Sequence, residues 1–442
     1  MTRPAAANNS TGQSIVCEGE LLDSDALRAV QRGRLAKLLA ELLDKNAFYR
    51  RKLQSVRFDP RSDPMDVLPF TTRQELEADQ AANPPYGTNL TYPIERYSRY
   101  CQTSGSSGRA MRWLDTPQSW AWVGKCWGTI FGAAGLRPDD RLFFAFSFGP
   151  FLGFWGAFDS AVAHGFLSIP AGGMSTISRL AMIRDNQATV VLCTPTYALR
   201  MAEVAKQEGI DLANSSVRAL IVAGEPGGSI PETRRAIESA WGARLFDHSG
   251  MTEVGPMSFE CIPAPGGMHV IETEYIVEVI DPATGQALPD GQRGEMVVTN
   301  LGRVGSPLIR YRTGDQVRLV RGRCHCGRCF ARLDGGILGR ADEMFIVRGN
   351  NVFPTAVEAV LRRFPEIGEF RLNVVEDGAL TQVRLDIEPA ADTQDPSALC
   401  QRVVRTLQEA LSFRAEVQAV PSGSLPRFEM KAQRFVRIRK ND

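Results

Sequence analysis

The sequence has no surplus of charge. Its 51 lysines and arginines stand against 50 aspartates and glutamates, a net charge of +1 over 442 residues. No global field then draws the protein to nucleic acid or to an anionic lipid surface, so any bound anion must be held by local groups. A membrane-crossing run is also missing. The uncharged stretch 142–158, LFFAFSFGPFLGFWGAF, is 17 residues long and is broken by Gly149-Pro150, whereas a spanning helix needs about 20 apolar residues. It reads as a buried strand, a turn and a core helix. The first fourteen residues lack the basic-then-apolar order of a secretory signal, and a cytoplasmic location is expected. Nine cysteines are an odd number, and without an export signal they do not form a disulfide framework.

What is present is ordinary globular material, 43% hydrophobic and 23% charged. A single core rarely grows past about 300 residues, so two or more domains are expected. Leucines at helix spacing mark residues 24–56 as helical. From about 141 to 223, apolar strand-like runs (189–193, 219–223) alternate with helical ones (197–207, 232–241), an order that implies a parallel sheet covered by helices. Residues 274–320 instead show short alternating runs split by Pro, Gly and Asp, as in antiparallel β. A mixed unit of about a hundred residues follows, with strands near 344–347, 370–375 and 381–387 and helices near 355–363 and 396–411. The fold class is thus α/β. A large N-terminal domain, 1–339, carries parallel sheets between helices and a small β subdomain near 256–335. A small mobile α+β domain occupies 340–442. The basic tail around Arg434 and Arg437 reads as a solvated strand with Val436 and Ile438 inward.

Five segments carry chemistry. Thr103-Ser104-Gly105-Ser106-Ser107-Gly108 is a loop whose small residues let backbone N–H groups and hydroxyls converge on phosphate oxygens. It lacks the Gly-Lys-Ser/Thr ending of a Walker loop. Asp247-His248-Ser249-Gly250-Met251-Thr252-Glu253 follows a strand and suits a metal–nucleotide site. Tyr311-Arg312-Thr313-Gly314-Asp315 offers a carboxylate for a ribose. Gly339-Arg340-Ala341-Asp342 precedes the last unit, and Lys431 lies near the C-terminus.

In this order, the five segments resemble the adenylate-forming superfamily of acyl- and aryl-CoA ligases, within it the phenylacetate-CoA ligase-like branch. Cys193-Thr194-Pro195-Thr196 and Ala223-Gly224-Glu225-Pro226 add to the resemblance. It implies an ATP-dependent ligase that makes an acyl-AMP and passes the acyl group to the CoA thiol. The 103–108 loop would hold the β- and γ-phosphates. Gly224, Glu225, Pro226, Asp247 and His248 would line the adenine, with Ser249 in a wall shared by nucleotide and acyl group. Thr252 would contact the α-phosphate, and Glu253 would bind Mg²⁺. Asp315 would hold the ribose hydroxyls with help from Arg340. Asp342 would be the hinge, and Lys431 would bridge carboxylate and α-phosphate. The chain departs from the family pattern at Ala110 and Met111 after the loop, at Ser249 where Tyr is common, and at Met430 where Gly is common.

The resemblance also places the acyl pocket beside Phe146, Phe148, Gly153 and Phe154, with Ala223, Gly250 and Met251. Flat aromatic acids suit such rings, and no basic residue lies inside the run to pair a second carboxylate. Benzoate-like acids, including anthranilate, and phenylacetate are the expected class. Ser249 or His248 would accept a hydrogen bond from a ring substituent. In the Cys324-His325-Cys326-Gly327-Arg328-Cys329 segment, thiols crowd at short spacing. With Cys261 and His269 upstream, the resemblance implies a structural Zn²⁺ held by Cys261, His269, Cys324 and Cys326. Cys329 is a possible substitute, and His325 faces solvent. Two other readings are an enzyme that loads an aryl acid onto a carrier protein, and a zinc-containing binding module.

Overall fold

The computed structural model describes residues 19–103, 110–347, 350–377, 380–390, 393–428 and 432–439. Asp23 caps the first long helix, Ser24–Lys45, by accepting from the backbone N–H groups of Asp25 and Ala26. Its leucines 27, 35, 38, 39 and 42 are buried. The helical stretch expected over 24–56 is cut in two at Asn46. That side chain caps the next helix, Ala47–Lys52, and donates to Asn89 and Thr91. A buried asparagine with three such bonds outweighs continuation of the helix.

The alternating region forms a five-stranded parallel sheet in the order Leu167–Pro170, Arg141–Phe144, Val190–Cys193, Ala219–Val222, Arg244–Asp247. Period-two alternation sends successive side chains to opposite faces. Leu142, Phe144, Leu192, Ile221 and Phe246 pack against helix Pro117–Ala133 through Trp122, Trp127 and Phe131. Phe143, Val191, Leu220, Val222 and Leu245 pack with residues of helices Thr176–Asp185, Pro195–Gln207 and Pro231–Trp241. Both faces are covered, which is why these strands read as continuous apolar runs. The uncharged stretch 142–158 divides as expected, into a strand, a turn and helix Leu152–Ala163. No helix among the described residues is long and apolar enough to cross a membrane.

The antiparallel region is a seven-stranded sheet. Its path runs Ser258–Cys261, Ala264–Val270, Arg332–Asp334, Tyr311–Val320, Arg293–Asn300, Tyr275–Ile280, and Gly339–Arg340 pairs beside Tyr311–Val320. Past this point lies a four-stranded sheet in the order Glu416–Ala419, Leu380–Pro389, Ile367–Asp377, Phe435–Arg439. It shares its own core, which includes Leu372, Val374, Leu385 and Ile387, with Val357 of helix Pro354–Leu361 and Leu399, Val403 and Leu407 of helix Pro396–Leu411.

The last strand corrects the reading of the basic tail. Ile438 is 43% exposed, and Phe435 stacks on Phe345. The alternate positions make the inward contacts instead: besides the Phe435 stack, Arg437 donates to the carbonyls of Glu343 and Met344, and Arg434, just before the strand, is separately buried in ion pairs. A basic residue with buried carboxylate partners can be an inward anchor, and apolar periodicity alone misses this.

Candidate active site and a cysteine–histidine cluster

The motif residues gather where the parallel strands end. Open α/β sheets bind ligands outside the carboxyl ends of their strands. Here Phe146 follows the strand ending at Phe144, Thr194 follows Cys193, Ala223 and Gly224 follow Val222, and Asp247 ends its own strand. The loop 103–108 joins the antiparallel strands Arg99–Gln102 and Arg112–Asp115. Thr103 is buried and closes the base of the loop: its backbone N–H donates to Met111 O, and its hydroxyl accepts from Met111 N, both at 3.0 Å. Ser104, Gly105, Ser106, Ser107 and Gly108 lie outside the described residues.

A buried pair fixes this hairpin against the Thr252-Glu253 turn. The Arg303 guanidinium donates to both carboxylate oxygens of Asp115, at 2.7 and 2.5 Å, and to the carbonyls of Thr252 and Glu253, at 2.6 and 3.1 Å. Both side chains of the pair are fully buried. The sequence reading missed it. Its only signal is an arginine set between Gly302 and Gly305, where a Cβ on Gly302 would lie 2.1 Å from Trp122 Cδ1. Thr252 Oγ1 reaches Gln102 O at 3.4 Å, next to the loop.

Glu253 is buried, and among the described residues the side chains nearest its carboxylate stand at long distances, 3.5 Å to Tyr311 Oη and 3.7 Å to Arg73 Nη1. Burial raises its pKa against the pull of its backbone and Arg73. A buried carboxylate held this loosely has donor capacity for a hard cation, which takes oxygen ligands. Four residues past Tyr311, Asp315 accepts from Arg340 at 3.2 Å, and Arg340 also forks onto Asp342 at 3.0 and 3.2 Å. One guanidinium thus links the expected ribose carboxylate to the expected hinge.

On the opposite wall, Asp247 accepts from Ser229 Oγ at 2.6 Å, and burial lifts its carboxyl to about 6. Gly228 makes room for it, since a Cβ there would sit 2.5 Å from Asp247 Cγ. Gly224 has φ +94°, a backbone that disfavours a side chain. The Glu225 carboxylate accepts from the backbone N–H groups of Thr196 and Ala432, each at 2.7 Å. Pro226 follows, half-buried. His248 is buried edge-on to Trp127 with 4.6 Å between centroids, and burial depresses its pKa to about 4. Burial favours the neutral imidazole, and among the described residues its Nδ1 has no hydrogen-bond partner. Ser249 is engaged by Ser258, hydroxyl to hydroxyl at 2.6 Å. Gly250 and Met251 pair antiparallel with Pro256 and Gly255.

The aromatic wall is built. Phe146 stacks on Phe154 at 4.4 Å, and Phe148 tilts against Phe146 at 5.3 Å and Trp155 at 4.9 Å. Gly153 faces open space, with no atom within 4 Å of a Cβ placed there. Lys431 lies outside the described residues.

A second constellation stands in the antiparallel sheet. The ligand atoms of Cys261, His269, Cys324 and Cys326 all lie within 4.8 Å of one another. Cys261 Sγ is 3.8 Å from Cys324 Sγ, and Cys326 Sγ is 3.6 Å from His269 Nε2. A tetrahedral ion with metal–S of about 2.3 Å and metal–N of about 2.05 Å has S···S edges of ~3.8 Å and S···N edges of ~3.6 Å. His269 Nδ1 sits 3.0 Å from Phe330 O. A carbonyl only accepts, so Nδ1 carries the proton and the Nε2 lone pair faces the thiols. Burial raises the Cys261 thiol to about 12. At Cys326 burial also works upward, but hydrogen bonds from the backbone and side chain of Arg328 help to bring the thiol down to about 5. His325 is exposed as expected, and Cys329 is not one of the four.

Comparison with known proteins agrees with this layout. Residues 101–302 match the AMP-binding enzyme family, and residues 349–439 match the AMP-binding enzyme C-terminal domain. The phenylacetate-coenzyme A ligase of Thermus thermophilus is 32% identical over 96% of this chain and 99% of its own. The Escherichia coli protein of the same name is 30% identical over 95% and 97%. Among solved structures, a 2-hydroxyisobutyryl-CoA ligase in its postadenylation state superposes with a TM-score of 0.89 at 28% identity, over 95% of this chain and 91% of that one. The same ligase in its thioesterification state gives 0.71. The present arrangement of sheets is therefore closer to the first state. The chain belongs to the adenylate-forming AMP-binding enzymes, on the branch of the phenylacetate-CoA ligases.

Proposed function

We propose that the residues gathered at the strand ends activate an aromatic carboxylate with ATP and pass it to CoA. As a member of its family, the chain is an AMP-forming acid–thiol ligase. One observation carries the residue assignment: a chain of contacts runs from Gln102, beside the phosphate loop, through Thr252, Glu253 and Tyr311 to the strand bearing Asp315, against which Arg340 pairs. Thr252 is set to contact the α-phosphate and Asp315 the ribose. Gly224, Pro226 and Asp247 line the base, and the Phe146–Phe154 stack borders the acid. Glu253 would hold Mg²⁺, which when bound offsets phosphate charge. Lys431 supplies the ammonium that steadies the charge developing between carboxylate and α-phosphorus. The division of the chain falls after residue 339, with Asp342 as the pivot.

Neutral His248 beside Trp127 supports ring-substituted acids such as anthranilate within the aromatic class. Cys261, His269, Cys324 and Cys326 would hold a zinc ion in a purely structural role, since four protein ligands leave no open position. The CoA ligase names of the relatives favour CoA over a carrier-protein arm as the thiol. The test is acid-dependent pyrophosphate release with benzoate, anthranilate, phenylacetate, acetate and octanoate. Aromatic acids are expected to be the faster substrates. No pyrophosphate with any acid sinks the residue assignment, and faster release with the aliphatic acids sinks the aromatic one.

A further inference from the structure

Arg434 is buried at the meeting of the two sheet systems and is bound on both sides. Within its own unit, Nε and Nη2 donate to Glu369 at 2.5 and 3.0 Å, Glu358 lies 3.6 Å away, and the guanidinium rests 5.1 Å from the Phe370 ring. Across to the large unit, its Nη1 donates to Thr196 Oγ1 at 2.9 Å. Two residues earlier in the chain, Ala432 N–H donates to Glu225, and the other oxygen of that carboxylate accepts from Thr196 N–H. Thr196 lies in the first turn of helix Pro195–Gln207, where a carboxylate is favoured by the unpaired N–H groups and the helix dipole. Two bonds therefore cross between the units on either side of one helix N-terminus, and Ala432 directly follows Lys431 in the sequence.

We infer that Thr196, Glu225, Ala432 and Arg434 form a releasable latch that positions the lysine segment for adenylation, with Arg434 as a positioning residue. The inference rests on the ligase reading above. The construction suits a contact that must open. The Arg434–Glu369 pair lies wholly inside the smaller unit and travels with it, so release leaves neither of these two charges without its partner. What is lost on opening is one bond to a neutral hydroxyl and one to a backbone N–H. Glu225 keeps the Thr196 N–H in either arrangement. The related 2-hydroxyisobutyryl-CoA ligase is known in both a postadenylation and a thioesterification arrangement, and this chain is closer to the former.

The test uses Thr196→Val, which deletes only the hydroxyl that Arg434 grips, and Arg434→Leu as the stronger variant. Two half-reactions are measured on the full chain with benzoate: ATP–pyrophosphate exchange, and CoA thioester formation from supplied benzoyl-AMP. Loss of one charge-assisted hydrogen bond shifts an equilibrium roughly tenfold to a hundredfold. Thr196→Val is expected to lower the exchange kcat about tenfold with the KM for ATP within twofold. Thioester formation should be unchanged or faster. Arg434→Lys, which keeps a donor, should recover part of the exchange rate. Parallel loss of both half-reactions, no change in either, or a loss confined to the KM for ATP would each overturn the latch. Wild-type protein that exchanges no pyrophosphate with benzoate or with any other acid of the panel above would instead refute the ligase reading, with the variants playing no part.

Discussion

The cysteine–histidine corner and the catalytic face are built on opposite principles. The corner is complete within one antiparallel sheet: a hairpin brings Cys261 and His269 together, and the next strands deliver Cys324 and Cys326 a few ångströms away. The candidate catalytic face is assembled from segments more than two hundred residues apart and is closed where the smaller unit meets the larger, through Ala432 and Arg434. A site closed by its own sheet resists motion. One closed by a neighbouring unit can serve two steps in turn, because it can be taken apart.

The sharpest way to break this comparison is Lys431→Ala. One well-placed charged donor contributes roughly a hundred- to thousandfold to such a step. Pyrophosphate exchange should fall by that amount, while thioester formation from supplied acyl-AMP stays near normal. Equal loss in both steps would mean that the ammonium is not specific to adenylation. The corner should show the converse. Cys324→Ser is expected to remove the zinc and cost on the order of 4 kcal/mol of stability. Exchange per folded molecule should stay near wild type. Metal analysis with a thermal melt checks it, and unchanged melting with metal absent from both proteins would remove the corner's structural role.

Much of this was legible in the sequence, for definite reasons. The parallel strands announce themselves because both faces are buried, and the family resemblance singled out the four thiol and imidazole groups that the fold brings together. The order of the motifs carried the family. What escaped was long-range and charged. Asp115 and Arg303 lie 188 positions apart, and nothing in either neighbourhood names the other. Arg434 looked like a solvated tail residue, because its partners Glu369 and Thr196 come from two different elements. Asn46 ended a helix that leucine spacing would have continued, since its side-chain bonds to Asn89 and Thr91 exist only in the fold.

Asp247 sharpens the contrast at a smaller scale, because the catalytic face stores a cost that the corner does not. Its folded pKa of about 6 lies above the ordinary 3.8. Between those values the folded state binds more protons than the unfolded one, so stability falls as pH rises through that window, and the loss is complete above it. Asp247→Asn should therefore be more stable than wild type above pH ~6, by on the order of 2 kcal/mol, with the gap closing toward pH ~4. Adenylation should be weaker if the carboxylate lines the base as proposed. Melting temperatures of both proteins across that pH range test it, and a gap independent of pH would show that the buried charge is not the cause.

Cys329 gives the smallest expected effect and the finest test of the corner. It lies three residues past Cys326 and is only half-buried, yet it stands outside the set of four whose ligand atoms share one 4.8 Å neighbourhood. A tetrahedral ion needs no fifth ligand, and His269 is already oriented by Phe330 O to supply the nitrogen. Cys329→Ala should therefore leave zinc stoichiometry unchanged and shift stability by less than about 0.5 kcal/mol, as for substitutions away from any special contact. Zinc lost from Cys329→Ala but retained in Cys324→Ser would exchange the two thiols' roles. The ion would then be anchored farther along the 324–329 turn, and the corner would lose the closure within its own sheet that sets it apart from the catalytic face.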